Sequence, residues 1–174
     1  VLPEAPESPD TPPPQEAIYE ILCDGTTGLR PRIWRAGQFP AGFIAALAKA
    51  RECGLRIKVA SLNGSGQWIV ATSNQIAHSV NVPPALAAQL RDFESRHGGL
   101  DAADIAESGA WLVVAGDDIA QEGLSERALN RIRSSSRGSS VISFDFHPSD
   151  NDRWVAITDN GGVFDDGLPP GISQ

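Results

Sequence analysis

A spacing of 43 residues recurs along this chain, and it constrains the fold more than any other feature of the sequence. Tryptophans, turn residues and apolar residues each keep this spacing in register: Trp68, Trp111 and Trp154; Asn74, Asp117 and Asn160; Phe43, Leu86 and Leu129. The prolines Pro40, Pro83 and Pro169 share the same frame. Because independent positions with one period are the signature of tandem units, the sequence predicts a repeat protein.

Each unit begins with a predicted β-hairpin. Alternating apolar and polar residues at 57–62 and 141–146 are typical of a half-buried strand, and a polar turn follows each run. The next strand opens on the tryptophan of the unit, as at 68–72 and 154–158. This fixed position predicts that the tryptophans pack in the core. Asn, Asp and Gly then mark a turn, because they tolerate positive φ, and a short third strand follows.

A helix closes each unit. Pro40 and Pro83 mark two helix starts, Gly54 and Gly98 mark the corresponding ends, and Ser125 is a predicted N-cap of the third helix. The predicted class is therefore α+β. Tandem β-β-(β)-α units of about 43 residues place their helices on one face of an antiparallel sheet.

The same frame divides the chain. Residues 1–16, rich in Pro and Glu, predict a disordered linker or stalk, and residues 17–174 form a single repeat-built domain. A divergent unit, two full units and a truncated unit follow at about 17–56, 57–99, 100–140 and 141–174. With a partial unit at each end, either the termini complete one another in a closed sheet or the units belong to a longer array.

One predicted strand is weak. The segment 100–105 is acidic and poor in β-formers. One interpretation is that Asp101, Asp104 and Glu107 form an acidic patch there. The expectation is the other interpretation, in which the segment is a tolerated edge or a helical turn.

Composition limits the partners and the compartment. A net charge of −8 argues against nucleic acid, and no apolar run approaches the roughly 20 residues of a membrane span. The Pro/Glu-rich segment is typical of the stalk of an exported bacterial protein, with a lipid anchor upstream of Val1, or of an ordinary tail or interdomain linker. We therefore expect a secreted, periplasmic or outer-surface protein.

The pattern of a Trp-centred hairpin, an Asn-Gly-like turn, prolines and a short helix resembles a tandem repeat of secreted microbial proteins. Similar units occur in the N-terminal, non-catalytic region of fungal polyglycine hydrolases. The residues that carry the resemblance are Gly66 to Val70 with Asn74 and Pro83, Gly109 to Val114 with Asp117, and Trp154 to Ala156 with Asn160, Gly161 and Pro169. The resemblance implies a secreted accessory module. The Ser-x-x-Lys nucleophile of those hydrolases has no counterpart, since neither Lys49 nor Lys58 follows a serine by three residues.

No motif for catalysis, metal binding or cofactor binding accompanies the repeat. The histidines His78, His97 and His147 lack a Gly-x-Ser-x-Gly elbow, and no ligand spacing fits zinc or an EF-hand loop. We therefore expect no catalytic residue, no cofactor and no metal.

Residues outside the repeat frame are the candidate binding residues. They are Trp34, an aromatic off the frame, and the arginines Arg131, Arg133 and Arg137, which suit a carboxylate or phosphate partner. The alternative for the arginines is a solvated helix face. The sequence favours a non-enzymatic exported module that binds a protein or a cell-envelope polymer. The alternative is a small secreted hydrolase that uses carboxylates or a histidine between units.

The two cysteines, Cys23 and Cys53, are predicted to form a disulfide that closes a loop of about 30 residues, which is worth roughly 3–4 kcal/mol in the chain-entropy model. Two buried free thiols are the alternative. Titration of the denatured, non-reduced protein with a thiol reagent should find no free cysteine. Two reactive thiols per chain would contradict the bridge and weaken the argument for export.

Overall fold

The computed structural model describes residues 39–135, 138–147 and 150–166. Within these ranges the protein is α+β, with three helices and three antiparallel sheets of three strands each. Several positions singled out from the sequence lie outside the described residues: the Pro/Glu-rich segment 1–16, Cys23, Trp34, Arg137 and Pro169.

Helix and three strands alternate three times along the chain. In order, the elements are α1 (Ala41–Glu52), β1 (Ile57–Leu62), β2 (Trp68–Thr72), β3 (Ile76–His78), α2 (Pro84–His97), β4 (Ala102–Ile105), β5 (Trp111–Ala115), β6 (Asp118–Glu122), α3 (Glu126–Ser135), β7 (Val141–His147), β8 (Asp150–Thr158) and β9 (Val163–Asp166).

Each sheet is a meander of consecutive strands, which we call sheet 1 (β1-β2-β3), sheet 2 (β4-β5-β6) and sheet 3 (β7-β8-β9). In each sheet the tryptophan pairs with an apolar residue of the preceding strand, and the partners are Leu62, Ile105 and Phe146. The first strands lie side by side, with β4 between β1 and β7. The three sheets are separate, whereas the sequence predicted a single sheet.

Helices α2 and α3 lie between sheets, whereas the sequence predicted all helices on one face of a single sheet. Leu86, Leu90 and Phe93 of α2 share one buried cluster with Ile69 of sheet 1 and Trp111 of sheet 2. The physical reason is the composition of the central strands, because every residue of β2 and β5 is buried. A strand that is apolar on both faces needs cover on both faces.

Helix α3 repeats this arrangement, whereas α1 packs on one sheet of the described part of the chain. Ala128 and Ile132 of α3 belong to a cluster with Leu112 of sheet 2 and Trp154 of sheet 3. Helix α1 packs through Phe43, Leu47 and Ala50 against the face of sheet 1 that carries Trp68 and Val70.

The predicted helix ends are confirmed. Pro40 and Pro83 directly precede α1 and α2, and Gly98 ends α2 in a left-handed conformation with φ 78°. The Ser125 hydroxyl accepts a hydrogen bond from the Ala128 N–H at 3.2 Å, which is the contact of an N-cap.

The segment 100–105 contains a strand, so the helical turn allowed by the sequence is wrong. Strand β4 is an edge strand of its sheet, but its neighbours β1 and β7 cover it. Ala102 and Ala103 are buried there. Small side chains let the neighbouring strands approach closely, which offsets the poor β-propensity of this segment.

The frame residues Asn74, Asp117 and Asn160 all lie in the turns between the second and third strands. The Thr72 hydroxyl donates to Asn74 Oδ1 at 3.1 Å, and the Thr158 hydroxyl donates to Asn160 Oδ1 at 2.7 Å. Residues 86 positions apart therefore make the same turn contact.

Trp68, Trp111 and Trp154 are 1%, 3% and 1% exposed, so their predicted burial is confirmed. Replacing Trp68 with Ala should lower the free energy of unfolding by about 3–5 kcal/mol, because it leaves a large cavity against α1. Chemical denaturation monitored by circular dichroism measures the change. Val80→Ala, at a position that is 44% exposed, is the control and should change stability little. A loss below about 1 kcal/mol for Trp68→Ala would contradict the core role of this residue.

Candidate functional site

Helix α3 carries the basic residues that the sequence marked for binding. Arg131 and Arg133 are exposed, as is Arg127. Arg127 and Arg131 lie one turn apart on the same flank of the buried residues Ala128 and Ile132. Arg133 lies on the opposite flank. The helix therefore presents two arginines together and a third apart from them.

A row of polar contacts runs between the first strands of the sheets. The Ser61 hydroxyl donates to Asp104 Oδ1 at 2.6 Å, and the Phe146 N–H donates to Asp104 Oδ2 at 2.7 Å. Asp104 therefore joins all three sheets, because Ser61 lies on β1 and Phe146 on β7. A carboxylate suits this place because it accepts from both sides at once.

Two more acids of the predicted patch make equivalent contacts. Lys58 donates to Asp101 across 2.6 Å, and Glu107 accepts from the backbone of Gly64. Each of these pairs spans 43 residues of sequence. Burial alone would raise the pKa of Asp101, but hydrogen bonds from the Gly116 N–H and from Lys58 outweigh it and lower the pKa. The patch is thus a set of contacts between neighbouring sheets.

A cavity of about 180 Å³ opens beside this row. Three carboxylates are among its lining residues, namely Asp104, Glu107 and Asp145, together with the apolar Leu62 and Phe146. Asp145 keeps access to solvent, yet partial burial raises its pKa, and the negative charge of Asp104 raises it further. A carboxyl group with a raised pKa holds its proton to higher pH than an ordinary aspartate.

The three histidines lie on different elements and in different surroundings. His78 is buried in β3, and burial lowers its pKa. His97 ends α2 and contacts Asp118 at 2.9 Å beside Arg96. His147 ends β7 and is half-buried. Of the three, His97 has a carboxylate partner, and that carboxylate also accepts a hydrogen bond from Arg96.

Cys53 is buried at the end of α1, and its thiol is not free. Its predicted partner Cys23 lies outside the described residues, so the pairing stays a prediction.

In the part of the chain that the structure describes, no three His, Cys, Asp or Glu side chains converge as metal ligands. The same residues contain no helix with the length and apolarity to cross a bilayer.

Comparison with known proteins finds no match to this chain among family models, curated proteins or solved structures. The resemblance to the N-terminal region of polyglycine hydrolases therefore stays a prediction.

Sequence reasoning missed the residues that complete the row between the first strands. Ser61 and Lys58 were not candidate binding residues, because each is unremarkable within its own unit. The 43-residue spacing could have identified them, since Lys58 precedes Asp101 by 43 residues and Ser61 precedes Asp104 by the same interval. Complementary side chains one period apart are what an interface between successive units requires.

The raised pKa of Asp145 predicts a dependence of stability on pH. The folded protein binds this proton more tightly than the unfolded chain, so stability is greatest below the ordinary aspartate pKa and falls as pH rises through the raised pKa. Asp145→Asn should therefore raise the Tm at pH 7 and lose this advantage near pH 3. Asp152→Asn, an exposed change of equal charge in the same sheet, is the control. An equal Tm gain in both variants would contradict a local effect of Asp104 on Asp145.

Proposed function

We propose that this protein is an exported, non-enzymatic interaction module built of tandem units of about 43 residues, which binds a protein or a cell-surface polymer through an exposed face. The repeat is supported by the contacts between the sheets. Lys58 with Asp101, Ser61 with Asp104, and Ser108 with Asn151 are all pairs at this interval. An interface that recurs at one period is what stacked copies of a unit would produce.

The binding role rests on one observation, the exposed pair Arg127 and Arg131 on α3 of an otherwise acidic chain. Guanidinium groups recognise carboxylates and phosphates through paired hydrogen bonds. Asp101, Asp104 and Glu107 make contacts between the sheets. The partner we propose therefore carries anionic groups and meets the protein at α3, with Trp34 and Arg137 as further candidates outside the described residues.

Export is supported by the Pro/Glu-rich segment at 1–16 and by the buried Cys53, whose thiol is not free. The proposed location is the periplasm, the outer surface or the medium.

Charge reversal on α3 tests the binding role. The immobilised protein is incubated with solubilised cell-envelope material, and the retained protein and polymer are quantified. Arg131→Glu should reduce retention at least severalfold, because it replaces an attraction with a repulsion. Arg91→Glu is the matched control, since Arg91 is exposed on α2 and the net charge changes equally.

Equal retention by wild type, Arg131→Glu and Arg91→Glu would show that the α3 arginines are only a solvated surface. Trp34→Ala in the same assay tests the aromatic candidate separately. Arg91 and Arg131 are exposed, so circular dichroism should show that their charge-reversal variants remain folded.

A second candidate function is hydrolysis by carboxylates between the units. It is favoured by the pair Asp104 and Asp145, which line one cavity and of which one has a raised pKa. A glycoside hydrolase uses a pair of carboxyl groups, and its general acid has a raised pKa. Turnover of a glycan that Asp145→Asn abolishes and Asp152→Asn leaves unchanged would favour this function over the binding module.

A further inference from the structure

Asparagine is followed by glycine at two positions of the chain. Asn63-Gly64 lies in the turn between β1 and β2, and Asn160-Gly161 lies in the turn between β8 and β9. In such a pair the glycine nitrogen can attack the side-chain amide of the asparagine, because glycine has no side chain that blocks the approach. The contacts around each pair therefore decide whether the reaction occurs.

Hydrogen bonds hold both reacting groups of the first pair. Asn63 Nδ2 donates to Gln67 Oε1 at 2.8 Å and to Ala106 O at 3.3 Å, and Asn63 Oδ1 accepts from the Gln67 N–H at 3.0 Å. The Gly64 N–H donates to the carboxylate of Glu107. A carboxylate acceptor makes the loss of that N–H proton less favourable, so the Gly64 nitrogen is a poor nucleophile.

The second pair has a different set of contacts. The Thr158 hydroxyl donates to Asn160 Oδ1 at 2.7 Å, and the Gly162 N–H donates to the same oxygen at 3.1 Å. The bond from Gly162 closes a ring that contains the Gly161 nitrogen, so Asn160 Cγ stays close to that nitrogen. Two donors on one amide oxygen also stabilise the negative charge that develops there when a nucleophile attacks Cγ.

The turn between β8 and β9 must open before this attack, because the Gly161 N–H donates to Thr158 O at 2.9 Å. Asn160 and Gly161 are both exposed, so opening at this end of the hairpin uncovers little apolar surface. Local openings of this kind cost much less free energy than global unfolding. The folded protein therefore reaches the reactive arrangement at Asn160.

We propose that Asn160 is a site of spontaneous deamidation in the folded protein and that Asn63 is protected. The Gly161 nitrogen forms a bond to Asn160 Cγ, its proton passes through solvent to Nδ2, and the Cγ–Nδ2 bond breaks to release ammonia. Water then opens the cyclic imide at either carbonyl and gives aspartate or isoaspartate. In total, an amide and water become a carboxylic acid and ammonia. The proposal does not depend on the partner proposed above.

The two products differ in their effect on sheet 3. Aspartate keeps the length of the backbone, and the equivalent turn of sheet 2 already carries an aspartate, Asp117, one period before Asn160. Isoaspartate adds a methylene group to the main chain of the turn and should weaken the pairing of Ile157 with Val163. Both products add a negative charge at this turn.

Incubation of the full chain at mildly alkaline pH tests the proposal. Mass spectrometry of proteolytic peptides quantifies the conversion at each asparagine over time. In the folded protein Asn160 should convert severalfold faster than Asn63. In denaturant the two rates should become similar, because both asparagines precede glycine and the contacts that distinguish them are lost.

A variant of Thr158 tests the contribution of the hydroxyl donor. Thr158→Val should slow deamidation of Asn160 severalfold, because one of the two donors to Oδ1 is removed. Destabilisation of the turn cannot imitate this result, since a turn that opens more often would react faster. Thr72→Val is the matched control: Thr72 makes the same contact with Asn74 at 3.1 Å, and its loss should leave the rate at Asn160 unchanged.

Three results would overturn the proposal. Conversion of Asn160 that is absent, or no faster than that of Asn63, would show that the fold does not favour the reaction at this turn. A preference for Asn160 that persists in denaturant would assign the difference to the local sequence. An unchanged or higher rate in Thr158→Val would exclude activation by the hydroxyl.

Discussion

The burial of apolar side chains on both faces of the central strands is the constraint on which the rest of the structure depends. A three-stranded sheet with one solvated face is stable beside a single layer of helices, but β2 and β5 have no polar face to turn outward. Sheets 1 and 2 therefore each lie between two helices, and α2 and α3 each lie between two sheets. Leu86, Leu90 and Phe93 show this directly, because one helix contributes to the cover of Ile69 and of Trp111.

The polar contacts follow from the same packing. Helices separate the sheets over most of their width, and the sheets meet mainly along their first strands, where Asp104 receives hydrogen bonds from Ser61 and Phe146. This region of contact between the sheets is narrow and only partly buried, so a carboxylate is stable there when it accepts hydrogen bonds. Asp145 lies on β7, and partial burial together with the negative charge of Asp104 raises its pKa. The cavity beside these contacts is thus a consequence of how the sheets pack against one another.

Much of the fold could be predicted from the sequence because its signals are local. Prolines before α1 and α2, Gly98 after α2 and the tryptophan at the start of each hairpin depend on backbone geometry and on alternation within a few residues. The separation into three sheets could not be predicted, since alternation does not reveal that both faces of a strand are covered. The candidate site residues also divide into those with a local signal and those without one. Arg131 could be identified from the sequence as a basic residue in an acidic chain. The roles of Lys58 and Ser61 could not, because they depend on contacts with Asp101 and Asp104 of the next sheet.

The sharing of α2 and of α3 between two sheets has a consequence for how such a chain changes length over generations. Deleting either helix would leave two apolar surfaces without cover at once. Gain or loss of the whole stretch from one tryptophan to the next, by contrast, joins a helix to a sheet of the kind it already contacts. Genetic changes in steps of 43 codons would therefore preserve this packing, whereas the loss of a single helix would not.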